Sequence, residues 1–309
     1  MKYDICVFGV CSLDQMFYLT EQNEKKETPD IIVPGGKCSN QAVAAARAGG
    51  IVTIISRIGK DLIGQKILDN LKNNSVFINN VELVEGLVND SSKIYIDYIT
   101  KDNTIIRESG VINSFTKDMI STYSSVLFNS KIILAQLKVP KEVTEELINF
   151  CYKNNKSIII TPCRPEKLKI TEDNNKELID KITFITANRT ECETIFNTSD
   201  IESCVEKYPN KLIVTLGSDG VIYHTGSEIV HIEAIKVKKI VDTTGAGDTF
   251  CGNFAYFITQ GYDIRTAIER AQFASAIKIQ KETAQSGMPY KHELDKFIKE
   301  YNLSNNSYE

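Results

Sequence analysis

Short β-branched runs alternate with helical patterns along almost the whole 309-residue chain. The predicted strands are residues 5–9, 52–58, 131–135, 157–161, 184–187 and 212–216. The predicted helices are residues 39–48, 63–73, 116–123, 141–154, 191–196, 249–259, 264–279 and 292–301. This alternation favours an α/β fold in which a parallel sheet lies between helices. Because ligands of such sheets bind at the carboxyl ends of the strands, we expect functional residues there.

Two stretches depart from the alternation. Residues 15–19 and 31–33 form one predicted strand pair, and residues 93–100 and 104–108 form another with its turn at 101–103. We interpret about 15–34 and 91–110 as a small β lid or clasp over the open edge of the main sheet. The alternative is that both pairs are ordinary edge hairpins of the central sheet.

Composition excludes several classes of protein. A net charge of −4 gives no basic surface for nucleic acid. No apolar run approaches the roughly 18 residues of a membrane span. The N-terminus enters a strand pattern directly and Asp4 interrupts any signal-like stretch, which predicts a cytoplasmic protein.

The eight scattered cysteines lack a C-x-x-C spacing, so we expect reduced, buried thiols. The three dispersed histidines do not suggest a metal centre.

Residues 241–250, Val-Asp-Thr-Thr-Gly-Ala-Gly-Asp-Thr-Phe, precede a predicted long helix. Gly245, Ala246 and Gly247 have little or no side chain, so free amides at the helix start can close on an anion. Asp248 would repel that anion unless it takes a proton from a hydroxyl while the amides stabilise a phosphoryl group. The alternative is a glycine-rich loop with an acidic residue that caps the helix.

Residues 35–47 begin Gly-Gly-Lys-Cys-Ser-Asn and continue into an alanine-rich helix. The glycine pair, which includes Gly36, lets the backbone approach a ligand closely. Ser39 is the predicted N-cap, and Lys37 and Asn40 can reach the same bound group. Such donors suit a polyhydroxylated ligand, although the segment could also be only a helix that starts with glycine.

Polar residues follow other predicted strands. Asp14 lies beyond the first strand, and it suits either a ligand or a turn cap. Asn188 and Glu191 follow the strand at 184–187 and suit a hydrated Mg²⁺ with its phosphates, or else a capped helix start. Thr215, Gly217 and Gly220 form a strand and glycine turn that could admit a nucleotide or simply make a hairpin.

In this order the segments resemble the ribokinase family of carbohydrate kinases, the phosphofructokinase-B class. Residues 35–47 resemble its first signature, residues 242–250 its second, and residues 188–193 its Asn-x-x-Glu motif. The resemblance runs to about Pro289 and is closest to the ribokinase pattern. It implies one domain over residues 1–309, a three-layer αβα sandwich with a mostly parallel sheet, and a β lid that closes over the sugar and mediates dimerisation.

The resemblance also implies an activity, which is ATP-dependent phosphorylation of the primary hydroxyl of a small sugar, ribose or a related pentose first. Asp248 would be the base, and Gly245, Ala246 and Gly247 the anion hole. The implied sugar contacts are Asp14, Gly36, Lys37 and Asn40. The implied nucleotide and Mg²⁺ contacts are Asn188, Thr215, Gly217, Gly220 and, through water, Glu191. A potassium ion beside the anion hole would be held by the Asp242 side chain and by carbonyls near Thr244, Lys278, Thr283 and Gly287.

Three cationic residues depart from the ribokinase pattern. Lys138 replaces a usual glutamate that helps hold ribose, and Arg164 replaces a small or apolar residue; Arg107 lies at the base of the lid hairpin. Together they could make the sugar pocket cationic, or each could be a surface charge. The loop 283–289 also differs slightly from the usual cation loop, which weakens the potassium prediction.

Other functions stay open at this point. The acceptor could be a nucleoside, a ketohexose derivative or a sugar acid such as 2-keto-3-deoxygluconate. The chain could also be a catalytically silent sugar-binding protein, although the intact Asp248, Asn188 and Glu191 argue against that. A dinucleotide-dependent oxidoreductase is disfavoured, because no G-x-G-x-x-G follows the first strand.

Overall fold

Two separate β-sheets organise the fold. The computed structural model describes residues 1–19, 28–97, 103–168 and 173–305, and within these ranges it has a nine-stranded and a four-stranded sheet. The strands are β1 (Tyr3–Phe8), β2 (Ser12–Leu19), β3 (Ile31–Gly35), β4 (Val52–Gly59), β5 (Val81–Val84), β6 (Asp90–Asp97), β7 (Asn103–Glu108), β8 (Ser130–Gln136), β9 (Ser157–Thr161), β10 (Phe184–Asn188), β11 (Leu212–Thr215), β12 (Val221–His224) and β13 (Ile229–Ile232).

Helices connect most of these strands. They are α1 (Lys37–Arg47), α2 (Leu62–Asn73), α3 (Asp118–Thr122), α4 (Ser124–Phe128), α5 (Lys141–Lys153), α6 (Asp173–Asp180), α7 (Arg189–Phe196), α8 (Ile201–Lys207), α9 (Ala246–Thr259), α10 (Ile264–Lys278) and α11 (Lys291–Asn305). In the part of the chain described, none of them combines the length and the apolar character needed to cross a bilayer.

The large sheet has the strand order β13-β12-β11-β10-β9-β8-β1-β4-β5. From β11 to β5 every neighbouring pair is parallel, while β12 and β13 pair antiparallel at one edge. Side chains of β1 alternate between two cores, with Ile5 and Val7 on one face and Cys6 and Phe8 on the other. Helices cover both faces, which confirms the predicted three-layer α/β fold with a mostly parallel sheet.

All six predicted strands occur in this sheet with bounds that differ by no more than a few residues. The strands that sequence reasoning missed are β5, β12 and β13, which are four residues each. Strands of four residues give too few alternating positions for a clear pattern, so their pairing depends on the neighbouring strand. The eight cysteines are free thiols, and all but the half-buried Cys163 are buried.

The small sheet has the order β3-β2-β6-β7. Its β2–β3 and β6–β7 pairs are antiparallel, as the two predicted strand pairs require, and β2 joins β6 in parallel. The pairs therefore form a sheet of their own and are not edge hairpins of the central sheet. The predicted turn at 101–103 falls mainly outside the described residues, and the role of this sheet as a lid stays a prediction.

Candidate active site

The start of α1 is shaped by the glycine pair. Gly36 has φ +86° and is the N-cap, and a Cβ there would lie 2.6 Å from Ser12 Oγ. The predicted Ser39 cap is wrong because the helix begins earlier, at Lys37. Ser39 Oγ donates instead to the carbonyl oxygens of Gly35 and Gly36. A residue with a side chain at position 36 could adopt this turn only with strain.

Asp14 lies against the same glycine pair. It is half-buried on β2, opposite Val33 of β3. A Cβ on Gly35 would collide with the Asp14 carboxylate, so the missing side chain makes room for it. The structure thus brings Asp14, Gly36 and the first residues of α1 together, and their role as sugar contacts stays a prediction.

The start of α9 is shaped by another glycine. Gly245 caps the helix with φ +79°, and α9 begins at Ala246 rather than at the predicted Thr249. A Cβ on Gly245 would lie 2.9 Å from Cα and the carbonyl oxygen of Ala284, so this turn packs tightly on the loop before α11. The Ala246 amide donates to Thr243 O at 3.1 Å. A Cβ at the exposed Gly247 would meet none of the described atoms within 4 Å, so open space adjoins this turn.

Asp248 lies in the first turn of α9 and is only 6% exposed. Its carboxylate accepts hydrogen bonds from Asn40 Nδ2 at 2.9 Å and from Gln41 Nε2 at 3.1 Å. Asp248 is therefore not the helix cap, and its side chain joins two motifs that are 208 residues apart in sequence. A carboxylate held by two donors has a fixed position and keeps lone pairs for another hydroxyl.

A line of side-chain amides, here called the longer arm, leads to Asp248 through Asn40. Asn70 Nδ2 donates to Gln285 Oε1 at 2.9 Å, and Gln285 Nε2 donates to Asn40 Oδ1 at 2.9 Å. Arg47 fixes the loop of Gln285 by donating to the Gln285 carbonyl oxygen at 2.6 Å. The longer arm thus links α2, the loop before α11 and α1 to one carboxylate.

A shorter arm leads to Asp248 from the central sheet. Gln136 Nε2, at the carboxyl end of β8, donates to Gln41 Oε1 at 2.7 Å. Gln41 also approaches Thr161 Oγ1, at the end of β9, within 3.3 Å. In both arms each amide directs one N–H along the line toward Asp248, so the arms end on an acceptor.

Sequence reasoning missed Gln41, Gln136 and Gln285. Two of them had a usable signal. Gln41 lies one helical turn after Lys37, on the same face, and Gln136 ends a predicted strand at the ligand-binding edge. Gln285 had none, because its partner Asn40 is 245 residues away.

Lys37 links Asp248 to the acidic residue after β10. The charge of Asp248 is the main cause that raises the pKa of Lys37, and the charge of Glu191 adds to it. Burial raises the pKa of Glu191, and Lys37 opposes that rise. The ammonium group is therefore close enough to act on both carboxylates.

Asn188 and Glu191 form a capping box at the start of α7. Glu191 N donates to Asn188 Oδ1 at 2.8 Å, and Asn188 N donates to Glu191 Oε2 at 3.0 Å. In the described part of the chain no three His, Cys, Asp or Glu side chains group closely enough to hold a metal. The oxygen atoms of this pair suit a Mg²⁺ that keeps its waters and arrives with phosphates.

The predicted nucleotide turn joins β11 to β12. Thr215 pairs with Asn188 across the β10–β11 ladder, so it lies at the same edge of the sheet. Gly217 is exposed with φ +64°, and Gly220 has φ +91° and packs against the backbone that follows β13. The segment is thus a hairpin turn located beside the capping box.

The residues predicted to hold potassium come from two segments that meet, the one before α9 and the one that ends α10 and leads to α11. The amides of Val241 and Asp242 donate to Ile279 O at 2.8 and 3.2 Å, and Thr244 N donates to Asp242 Oδ1 at 2.8 Å. A Cβ on Gly287 would lie 3.1 Å from Lys278 Cα. Thr283 has φ +57°, which is unusual for a β-branched residue.

The donor set there does not fit a bound monovalent cation. The side chain of Lys278 enters this group, and its Nζ lies 2.6 Å from Asp242 O. A metal ion would have to share the same oxygen atoms with an ammonium group of like charge.

Of the three cationic residues that depart from the ribokinase pattern, Lys138 is half-buried and Arg164 is exposed. The side chain of Arg107 lies outside the described residues. Burial raises the pKa of Asp90, on β6, and Lys138 is the main opposing charge. The charges of Lys138 and, to a smaller extent, Arg164 thus act on Asp90 of the small sheet, although the exposure of Arg164 also fits the alternative of a surface charge.

Comparison with known proteins agrees with this geometry. A profile described as pfkB family carbohydrate kinase matches residues 2–291. A ribokinase of Lactococcus lactis subsp. lactis is 38% identical over 275 residues, which are 88% of this chain and 88% of that protein. A ribokinase of Bacillus subtilis is 34% identical over 301 residues, covering 96% and 99%.

The fold is also that of a solved ribokinase. The structure of Arabidopsis thaliana ribokinase complexed with ribose and ATP superimposes with a TM-score of 0.84 and 21% identity, covering 97% of this chain and 99% of that one. Residues 35–47 and 242–250 meet at Asp248, and the fold is that of the solved ribokinase. The family profile spans nearly the whole chain. The protein is therefore a member of the pfkB family of carbohydrate kinases.

Proposed function

We propose that this enzyme transfers the γ-phosphoryl group of ATP to the primary hydroxyl of a small sugar, with ribose as the first choice. The observation that carries the proposal is the Asp248 carboxylate, held by Asn40 and Gln41 in the first turn of α9. The two curated relatives are named ribokinases, and the Arabidopsis structure is described as a complex with ribose and ATP.

Asp248 is the proposed base. An acceptor hydroxyl that donates to its carboxylate is aligned for attack and loses its proton as the phosphoryl group transfers. Asn40 and Gln41 keep the carboxylate from turning away. Because it is only 6% exposed, little water competes for it.

The first turn of α9 and Lys37 are proposed to stabilise the transferring phosphoryl group. The open space beside Gly247 lets phosphate oxygens approach the amides of Gly245 and Gly247, while the Ala246 amide would have to exchange its bond to Thr243 O for one to the phosphate. Lys37 adds a positive charge near both carboxylates of the site.

The nucleotide is proposed to bind along the ends of β10 and β11. Thr215, Gly217 and Gly220 would line it, while Asn188 and Glu191 would hold Mg²⁺ through its waters. That ion, when bound, neutralises charge on the β- and γ-phosphates.

The sugar is proposed to bind between the small sheet and α1. Asp14, Gly36, Lys37 and Asn40 would contact its hydroxyls, and the small sheet would close over it. Water is a competing acceptor, so closure would favour sugar phosphorylation over ATP hydrolysis. The free thiols fit the reducing cytoplasm.

The decisive experiment is a coupled ADP-release assay against ribose, deoxyribose, fructose, nucleosides and sugar acids. We expect turnover with ribose or a related pentose, and a phosphorus NMR spectrum that places the phosphate on the primary carbon. A reaction without acceptor measures ATP hydrolysis. If none of the sugars raises ADP release above that control, the proposal fails.

One observation favours a second candidate, a carboxylated acceptor. Lys138 replaces the usual glutamate, and its charge acts on Asp90 of the small sheet, which borders the proposed sugar site. In the same assay this candidate predicts turnover on sugar acids only, and loss of that turnover in Lys138→Glu. Lys153→Glu is the matched control, because Lys153 is exposed at the end of α5.

A further inference from the structure

Lys278 is buried without access to solvent. It is the last residue of α10, and its side chain is 0% exposed. Lysine is almost never fully buried unless it is paired, since the ammonium group must replace its hydration with other partners. The partners of this residue therefore indicate what its charge does.

The ammonium group has oxygen atoms from two loops as partners. Lys278 Nζ donates to Asp242 O at 2.6 Å and approaches Lys281 O at 3.5 Å. The carboxylate oxygen Asp242 Oδ2 lies 3.9 Å away. Burial lowers the pKa of Lys278, and Asp242 opposes that decrease. One nitrogen thus meets two carbonyl groups and one carboxylate, which is the type of oxygen environment that binds a small cation.

These oxygen atoms belong to the segment that positions the first turn of α9. The other carboxylate oxygen, Asp242 Oδ1, accepts from Thr244 N at 2.8 Å. Thr244 directly precedes Gly245, which caps α9. From α10, Ser275 Oγ donates to Ala246 O at 3.0 Å. A positive charge at Lys278 therefore orders the backbone from Asp242 to Ala246, and the proposed anion hole with it.

We propose that the Lys278 ammonium group replaces the monovalent cation at this site, so that the enzyme needs no potassium. Holding a tethered cation in place loses less entropy than binding a free ion, because the helix that bears the lysine already restricts its position. The inference rests on the proposed kinase function only for its activity readout; the binding readout is independent.

The test compares the wild-type protein with Lys278→Ala and Lys278→Met. Alanine removes the charge and opens space for an ion, whereas methionine removes the charge and keeps that space filled. Lys153→Met is the matched control, since Lys153 also ends a helix but is exposed. Turnover is measured with potassium chloride and with N-methylglucamine chloride at equal ionic strength.

We expect wild type and Lys153→Met to turn over equally in both salts. Lys278→Ala should lose activity by roughly 5- to 150-fold without potassium, the usual range for coupling between two sites, and regain it with potassium. Lys278→Met should stay impaired in both salts. Activation of the wild type by potassium, or full activity of Lys278→Ala without it, overturns the proposal.

A second readout uses no catalysis. Crystals soaked in rubidium chloride should show an anomalous peak beside Asp242 in Lys278→Ala and none at that position in the wild type. Rubidium bound there in the wild type overturns the proposal even if no acceptor sugar has been found. A wild type that excludes rubidium but phosphorylates no sugar contradicts only the proposed function.

Discussion

At the scale of single residues, Asp248 depends on the groups that orient it. Its two oxygen atoms each accept one amide N–H, from Asn40 and from Gln41. Both donors belong to α1, which also begins with Lys37. One short helix therefore supplies the base with its orientation and the site with a positive charge.

Asp248→Asn tests the base. An asparagine has a single acceptor oxygen, so its own NH₂ group would face Asn40 or Gln41, and it takes up no proton. We expect turnover to fall by roughly 100-fold or more, with ATP affinity nearly unchanged. Steady-state kinetics and calorimetric titration with an ATP analogue measure the two effects. Near-normal turnover would show that Asp248 is not the base.

Glu191→Gln separates two roles of one side chain. Glutamine still accepts from the Asn188 amide, so the capping box and the stability of α7 should persist. The lost charge should weaken the response to Mg²⁺, and we expect a higher Mg²⁺ concentration at half-maximal turnover. Thermal melts provide the control. If the melting temperature falls while the Mg²⁺ response is unchanged, Glu191 is only a cap.

At the scale of elements, the close packing of α9 on α1 sets the position of the base. A Cβ on Gly252 would lie 2.6 Å from Gln41 O and 2.7 Å from Ala44 Cβ. The glycine therefore lets the two helices approach each other. The same approach brings Asp248 within reach of Asn40.

Gly252→Ala tests this packing. Alanine gains about 1 kcal/mol of helix propensity, but forcing a methyl group into a filled contact costs about 1–3 kcal/mol. We expect the free energy of unfolding to fall by about 0–2 kcal/mol and turnover to fall as Asp248 moves away from α1. Urea denaturation and kinetics measure both. An equally active and more stable variant would contradict this account.

Local patterns predicted the parallel strands and the two helices that begin with glycine, because those elements repeat at fixed spacings. They did not predict the arms that end on Asp248, since Asn70, Gln136 and Gln285 come from distant segments. Lys278 illustrates the same limit. The family resemblance placed only its carbonyl group near Asp242, and the folded chain shows that its side chain enters the same group of oxygen atoms.

At the scale of the whole molecule, the small sheet exposes apolar side chains. Ile31 and Ile32 on β3 and Ile106 on β7 are 41%, 40% and 50% exposed. Both strands are edges of that sheet. Exposed apolar edge strands favour pairing with another chain. On these residues we propose that two copies of the chain associate through the small sheets, as the family resemblance implies.

Ile32→Lys and Ile106→Lys test the proposed homodimer. We expect analytical ultracentrifugation to show a dimer for the wild type and a shift toward monomer in both variants, because a charge on an apolar interface must lose its hydration. Ile51→Lys is the control, since Ile51 is 48% exposed but lies outside the small sheet. A monomeric wild type contradicts the proposal.

In the longer arm, the amides of Asn70, Gln285 and Asn40 all donate in the same direction, and this affects how the enzyme loses activity during storage. Spontaneous deamidation of Asn70 would replace a donor nitrogen with oxygen. Gln285 and then Asn40 would have to reverse their amides, which would turn a carbonyl oxygen toward Asp248. Deamidation of one residue on α2 would thus lower the activity of a stored enzyme preparation while its fold stays intact.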